Sequence, residues 1–304
     1  MKKILVINFS QTGQLNAIID NFLIPFKNSA IDIDRMFIEP KKPFPFPWST
    51  KSFYDVMPET VLEQPIEIYA PKFKHNEYDL IILGYQTWYL SPSMPTTAIL
   101  KNEQFCNLLK GKPIVTIIGA RNMWLNSQES VKALIKNAGG KLVANIPLVD
   151  KTSNLISVIT IFYWLSTGKK DRKWGIFPLP GISDEDINES HIFGEKVVES
   201  LQKDNFSNLQ NDILKLNKIQ IKTNILFIEL RAKKLFKIWA NTIQKKGTTP
   251  KKRALWLLLF RIYLNVALFG LSPIVLLVYN IVVRPFTFNR IKNKKEYFCT
   301  IKIN

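Results

Sequence analysis

MKKILVINFSQTGQL, residues 1–15, decides how the rest of the chain is read. A short aliphatic run from Ile4 to Ile7 gives way within a few positions to Ser10, Gln11, Thr12, Gly13 and Gln14. An apolar run of this length, ended by turn residues, is the pattern of a strand buried on both faces. After it, Leu15, Ile18, Ile19, Phe22 and Leu23 recur at helical spacing. Ser10 and Thr12 offer hydroxyl donors, Gly13 permits a tight turn, and the backbone N–H groups of residues 11–15 point outward at the start of a helix. Together they make an anion cradle of dipoles without a lysine. The stretch has neither the G-x-x-x-x-G-K-[ST] loop nor the G-x-G-x-x-G of a dinucleotide site, so a single phosphomonoester suits it better. The plain alternative is a strand-to-helix turn whose hydroxyls merely cap the helix.

The same alternation continues. Residues 31–38, 78–85, 113–120 and 141–149 read as further strands, and SQESVKALIKNAGG at 127–140 as an amphipathic helix closed by glycine. Strands separated by helices predict a doubly wound, five-stranded parallel α/β sheet. In such sheets ligands bind beyond the carboxyl ends of the strands, near the topological switch point. Three unusual stretches follow three strands: FSQTGQL at 9–15, YQTWYLSPSMP at 85–95 and GARNMW at 119–124. Each falls where a ligand would lie. Trp88 and Tyr89 have an alternative as packing under a loop, and Arg121 as the partner of a surface carboxylate.

Composition narrows the chemistry. Of the +18 net charge, residues 201–304 hold 20 Lys/Arg against 4 Asp/Glu, whereas residues 1–200 hold 22 against 20. The basicity therefore belongs to a C-terminal segment. It is interleaved there with apolar sequence and has no recognisable reader of nucleic acid, which argues against that partner. His75 and His191 are the only histidines, so a multi-histidine metal site is excluded and no metal is expected. Cys106 and Cys299 are isolated, and a nucleophilic cysteine with supporting His and Asn is not discernible. The basic N-terminus is read as cytoplasmic and retained, because its apolar run breaks at Asn8.

The S-x-T-G-x pattern of Ser10, Thr12 and Gly13 after the first strand resembles the phosphate loop of flavodoxin-like proteins, although Leu15 replaces their closing hydroxyl residue. YQTWYLSPSMP and GARNMW are similar to the two loops that flank the flavin ring in that family. The resemblance implies FMN, held by Ser10, Gln11, Thr12, Gly13, Gln14, Gln86, Thr87, Trp88, Gly119, Ala120 and Asn122. Trp88 would stack on or edge the ring, with Arg121 and Asn122 near its pyrimidine end. A narrower resemblance rests on PKKPFPFPW (40–48), GYQTWYLSPSMPTT (84–97), IGARNMWLN (118–126), STGKKDRKWGIFP (166–178) and PGISDEDI (180–187). These are similar to the flavodoxin-like proteins of bacterial dialkylresorcinol biosynthesis, often named condensing enzymes. That likeness implies aromatisation of a lipophilic dialkyl cyclohexane-1,3-dione to a 2,5-dialkylresorcinol, with a ketosynthase and an acyl carrier protein as partners. Arg121 would steady enolate charge, and Tyr85 or Tyr89 would relay a proton. Rival readings are an FMN-dependent NAD(P)H:quinone reductase at the membrane and a flavin-free scaffold docking those two partners there.

The expected organisation is a flavodoxin-like domain over 1–202, with insertions at 41–60 and 153–187, and a helical tail over 203–304. In the first insertion Phe44, Phe46, Trp48, Phe53 and Tyr54 are either a small satellite core or the apolar wall of a pocket. The apolar run in the second is too short to span a bilayer. The tail carries a predicted basic amphipathic helix at 212–239, suited to anionic lipid, and an apolar stretch at 254–283 with Arg261 as its only charge. Basic clusters at 245–253 and 290–295 flank that stretch, and GLSP at 270–273 interrupts it. A membrane-dipping hairpin or an interfacial helix pair on the inner face of the cytoplasmic membrane is therefore expected, with residues 212–304 as the lipid-contacting region. Extra core over the insertions is the soluble alternative.

Overall fold

The computed structural model describes residues 1–302. Among them, six strands form one sheet: β1 (Lys2–Asn8), β2 (Ile31–Phe37), β3 (Leu80–Trp88), β4 (Ser91–Pro92), β5 (Pro113–Ala120) and β6 (Lys141–Val149). The order is β2-β1-β3-β5-β6, every neighbouring pair parallel, with β4 turned back antiparallel on the end of β3. Counting the long strands alone, this is the 2-1-3-4-5 order of the flavodoxin-like doubly wound fold. The five expected strands are all present.

Each strand is apolar along its length because its two faces enter two different cores. Ile4 and Val6 point to one side with Ile82, Val115 and Ile117; Leu5 and Ile7 point to the other with Ile81, Leu83 and Ile118. The first side is covered by α1 (Gln14–Phe22) and by the helix His191–Gln202. The second is covered by α2 (Leu125–Asn137) and by the helices Met94–Leu100 and Glu103–Leu109. The close approach of α1 requires a glycine on β3. A Cβ at Gly84 would sit 2.4 Å from Ile19 Cδ1 and 2.9 Å from Asn8 Cβ.

β3 runs three residues past its predicted end. Thr87 and Trp88 pair with Pro92 and Ser91, and the two residues between them, Tyr89 and Leu90, both have positive φ (47° and 63°). That is the geometry of a two-residue hairpin, made here without glycine or asparagine. Burial of Leu90 and a 2.7 Å hydrogen bond from the Tyr89 hydroxyl to the Phe53 carbonyl hold the unfavourable turn.

The second insertion forms the helix α3 (Asn154–Thr167) and a loop that ends at the helix Asp184–Asn188. Two expectations for the tail are corrected. The helix predicted over 212–239 is broken: one helix stops at Lys215, Asn217 turns with φ 56°, and α4 (Thr223–Lys246) starts afresh. The break has a packing cause. Leu209, Ile213, Leu216 and Ile219 belong to the first core, while Ile221, Leu226 and Leu230 belong to the second, so the chain rounds the sheet edge between them. The apolar stretch does not turn at GLSP as expected: it stays helical from Pro250 to Val283 and breaks only at the tight turn Arg284–Thr287, where Thr287 (φ −120°, ψ 19°) leads into a further helix, Phe288–Cys299. Gly270 and Pro273 are accommodated by a wide π-helical turn at Val266–Leu271, and a second at Tyr279–Val283 precedes Pro285. The first four turns pack Leu257 and Phe260 against Tyr54, Met57, Ala240 and Ile243, and in the last helix Phe298 rejoins the second core. Between them, Ile262, Val266, Phe269, Ile274, Leu277, Ile281 and Phe286 are exposed.

Replacing Gly84 by Ala forces the added methyl against Ile19 and Asn8, and overpacking of this kind costs about 1–3 kcal/mol. Chemical denaturation should show the G84A midpoint lowered with an unchanged slope; an unaltered midpoint would mean that α1 shifts freely over the sheet.

Candidate functional site

The three loops flagged in the sequence meet at the carboxyl ends of β1, β3 and β5 and line one cavity of about 230 Å³. Gln11, Thr12, Gln14 and Leu15 come from the first loop, Gln86, Thr87, Trp88 and Tyr89 from the second, and Gly119, Ala120 and Arg121 from the third. Both insertions wall it. Trp48, Phe53 and Val56 form one wall, while Ile161, Trp164 and Leu165 of α3, together with Gly181, form another.

The first loop does not behave as a simple cap. α1 begins after Gly13 (φ 80°) without a side-chain cap, and the Thr12 hydroxyl lies a long 3.5 Å from the Gln14 N–H. Among the described residues the buried hydroxyls of Ser10 and Thr87 find no hydrogen-bond partner. Buried hydroxyls are normally satisfied, and Thr87, which lines the cavity, therefore has a hydroxyl free for a polar ligand. Ser10 and Gly13 sit behind the lining rather than in it. The Gln11 N–H is already used, donating to Gln86 Oε1 at 2.9 Å, and this bond ties the first loop to the second. Gln14 lines the cavity too, with its amide held by two 3.1 Å bonds to the backbone of Ile182. Gly181 permits that brace, since its φ is 87° and a Cβ there would lie 2.7 Å from Gln14 Oε1.

Trp88 meets Phe9, Phe44 and Trp48 edge-on, with centroids 5.0–5.9 Å apart, and Phe44 stacks on Trp48 at 5.7 Å. The first insertion therefore serves in both of the ways its composition allowed. Trp48 and Phe53 wall the cavity, and Tyr54 packs into a satellite core with the tail. The N–H of Trp48 donates to the Leu165 carbonyl at 2.7 Å and joins the two insertions.

Arg121 is the cation of the cavity. Its guanidinium donates to the backbone oxygen and to Oδ1 of Asn154 at 3.0 and 2.9 Å. Burial pulls its pKa down to about 10 against the opposing pull of Asp150 and Glu229, so it stays charged at neutral pH.

Three expected roles are corrected by geometry. Tyr85 is fully buried in the second core with its hydroxyl on Gln128, and burial raises its pKa well above 10, so it cannot relay a proton in the cavity. Tyr89 lines the cavity, but its proton is given to the Phe53 carbonyl and burial raises its pKa likewise. Asn122 turns away from the cavity and donates to Asn154 Oδ1 at 2.9 Å. Sequence reasoning did not single out Asn154, Trp164 or Gly181. Their signal was only the unusual length of the second insertion.

A residue that supports the third loop from behind comes from the tail. Glu229 on α4 is fully buried and accepts the N–H of Asn126 at 2.8 Å, at the start of α2 just beyond the third loop. It caps that helix from a distance, because α2 has no side-chain cap of its own. Burial lifts its pKa to about 8 despite the Asn126 hydrogen bonds and nearby Lys233. Lys233 in turn donates to Ser91 Oγ at 2.6 Å and pairs with Glu63.

The strand order and this arrangement define a doubly wound α/β protein with an anion-ready loop at its switch point. No protein-family model and no curated protein matches the chain. Solved structures similar to it include a flavoprotein in complex with FMN from Lactobacillus acidophilus NCFM, at 15% identity and TM-score 0.39, covering 48% of this chain and 93% of that one. Flavodoxin 1 from Bacillus cereus is similar at 15% identity and TM-score 0.35, covering 65% and 98% respectively. A flavodoxin from the domain Archaea is similar at 14% and TM-score 0.34, covering 66% and 99%.

Glu229 sets a pH dependence. Its folded-state pKa of about 8 lies above the ordinary 4.5, so the folded form holds the proton more tightly than the unfolded one. That stabilisation is complete below the unfolded value and is lost as pH rises through about 8. Glu229→Gln keeps an acceptor for Asn126 and removes the ionisation. Between pH 5 and 8 the wild type should lose about 3–4 kcal/mol of stability relative to E229Q, read by urea unfolding at several pH values. Parallel profiles would show that Glu229 does not titrate in this range.

Proposed function

We propose that the chain is an FMN-dependent oxidoreductase acting on a lipophilic ring substrate at a membrane surface. The observation that carries this reading is the convergence of three strand-end loops on one cavity, which brings together an uncapped helix start, the unpartnered Thr87 hydroxyl and aromatic walls. The residues fit the group. The open N–H groups of α1 with the Thr12 and Thr87 hydroxyls suit a phosphomonoester, and Trp88 with the Gly119–Ala120 backbone suits a flat ring. When bound, FMN supplies two-electron redox chemistry at that ring.

The chain's own residues do the rest. Trp48, Phe53, Ile161 and Leu165 exclude water and accept alkyl chains, and Arg121 places positive charge where an enolate oxygen would develop. Aromatisation of a dialkyl cyclohexane-1,3-dione to a 2,5-dialkylresorcinol removes one hydride and one proton. The proton comes from carbon flanked by two carbonyls and is acidic enough for water to accept it, which suits a cavity whose tyrosines are both committed elsewhere. The sequence motifs of both insertions support this substrate class. The exposed apolar helix surface between Ile262 and Phe286 supports a place on the cytoplasmic face of a membrane, by insertion of that segment. A ketosynthase and an acyl carrier protein are the partners that the substrate's origin requires.

Purified in mild detergent, the wild type should take up FMN with a shifted visible band and quenched tryptophan emission. Thr12→Glu with Gly13→Glu sets two carboxylates against the phosphate and should weaken uptake by ~100-fold or more, equivalent to about 2.7 kcal/mol. A wild type that takes up no FMN sinks the proposal. With FMN bound, anaerobic conversion of a dialkyl cyclohexanedione to a resorcinol supports the substrate assignment, whereas steady NAD(P)H oxidation with a membrane quinone and no dione conversion replaces it with a quinone reductase.

A further inference from the structure

The stretch Gly168–Leu179, GKKDRKWGIFPL, plays no part in the cavity's chemistry, yet its composition is unusual for a surface loop. Lys169, Lys170, Arg172 and Lys173 stand against a single Asp171, and Trp174, Ile176 and Leu179 follow. Trp174 is 75% exposed, Ile176 76% and Leu179 46%. Lys169 and Arg172 are exposed beside them, while Lys170 pairs with Asp184 at 3.1 Å. Trp174 also takes a left-handed conformation (φ 53°) next to Gly175 (φ 72°), a tight turn that projects the indole from the tip. A bulky residue in that conformation costs energy, and burial in the fold does not offset it here.

The loop is pinned to the cavity at both ends. At its start, a Cβ on Gly168 would lie 3.8–3.9 Å from Pro47 and Phe46, just before the cavity residue Trp48. At its end, Gly181 packs against Gln14 and Trp164. Lys170 lies 5.8 Å over the Trp164 ring, and Lys173 lies 4.5 Å over Trp174. The loop therefore rims the cavity. The first insertion joins this rim to the tail: Phe53 touches Phe162 of α3 at 5.6 Å and Tyr54 at 5.2 Å, and Tyr54 touches Phe260 of the long helix at 6.3 Å.

We infer that residues 168–179 form a second membrane contact, selective for an anionic bilayer, which seats the cavity rim on the lipid surface. The inference deepens the proposed function, on which it rests, by giving a lipophilic substrate a route from the bilayer to the cavity. Exposed indole and aliphatic groups beside a cluster of Lys/Arg match the two layers of an anionic membrane interface, acyl chains below and phosphates above. The charge selects lipid as the occupant, and the exposed apolar surface of the long helix, on the other flank of the first insertion, provides a neighbouring lipid contact.

The test uses the full chain and sedimented vesicles of phosphatidylcholine, pure or with 30 mol% phosphatidylglycerol, a composition at which about one kcal/mol per cation is gained at the surface. Trp174→Ala with Ile176→Ala should lower partitioning onto the mixed vesicles ~10-fold or more, because buried apolar area sets interfacial affinity. Lys169→Glu with Arg172→Glu should lower it at least ~10-fold on mixed vesicles and leave the weaker binding to neutral ones unchanged. Brominated acyl chains should quench emission in the wild type more than in Trp174→Phe. Wild-type partitioning by both double variants, equal quenching in Trp174→Phe, or equal losses on neutral and anionic vesicles for Lys169→Glu with Arg172→Glu would overturn the inference and leave the loop to a protein partner or to solvent. FMN uptake in detergent, measured on the same proteins, keeps the two readings apart. Variants that retain uptake but leave the vesicles support the loop assignment, whereas a wild type without uptake removes the enzyme reading and lets partitioning still decide on the loop.

Discussion

Everything in this molecule follows from one constraint: a parallel sheet has two apolar faces, and both must be covered. The strand from Ile4 to Ile7 is apolar without interruption because alternate residues enter different cores. Covering both faces sends the chain from each long strand into a helix, and the polar, irregular sequence then collects at the carboxyl ends of the strands. The site is a by-product of that covering rule. Its loops need no long-range attraction to find one another, since β1, β3 and β5 are adjacent and parallel.

The tail obeys the same constraint and then exceeds it. Leu209 and Ile213 complete one core, Leu226 and Phe298 the other, so the segment after residue 202 is built into the sheet's covering. It is also fastened by polar contacts. Arg253 clamps Asp55 and Glu59 of the first insertion, Lys233 holds the β4 turn at Ser91, and Glu229 caps α2. Such contacts position more than they stabilise, because a buried charge loses much of its attraction to desolvation. Glu229 shows that balance directly: it is lifted to a pKa near 8, and among the described residues its second oxygen has no partner, so it is the atom suited to hold the proton at neutral pH. What the domain cannot cover is the middle of the long helix, whose apolar side chains extend beyond its packing surface.

The two insertions add walls on two sides of an ordinary switch-point cleft and leave it open at the rim. Phe44, Trp48, Phe53 and Trp88 form a continuous aromatic surface, and Trp164 faces it from α3. Aromatic residues at edge-to-face distances hold shape without many backbone hydrogen bonds, which suits a wall made from irregular, proline-rich chain.

By itself, the sequence determined the elements whose signals are local. Hydrophobic period located the strands to within a few residues. Turn chemistry located the loops at Ser10–Gln14, Gln86–Tyr89 and Gly119–Asn122, and length marked the two insertions as foreign to a bare doubly wound domain. Only the tertiary structure decided where individual side chains went. Tyr85 and Trp88 point to opposite sides of β3, as its two-residue period requires, but only the packing of α2, with Gln128 on the Tyr85 hydroxyl, seals Tyr85 in a core while Trp88 is left to line the cavity. The tail's helix breaks at Asn217, where no proline or glycine stands, because two cores on opposite faces compete for its apolar residues. Conversely, Gly270 and Pro273 fail to break a helix, since a widened turn satisfies the backbone there. Such outcomes turn on contacts between distant segments, and local pattern carries no information about which distant surface a residue will meet.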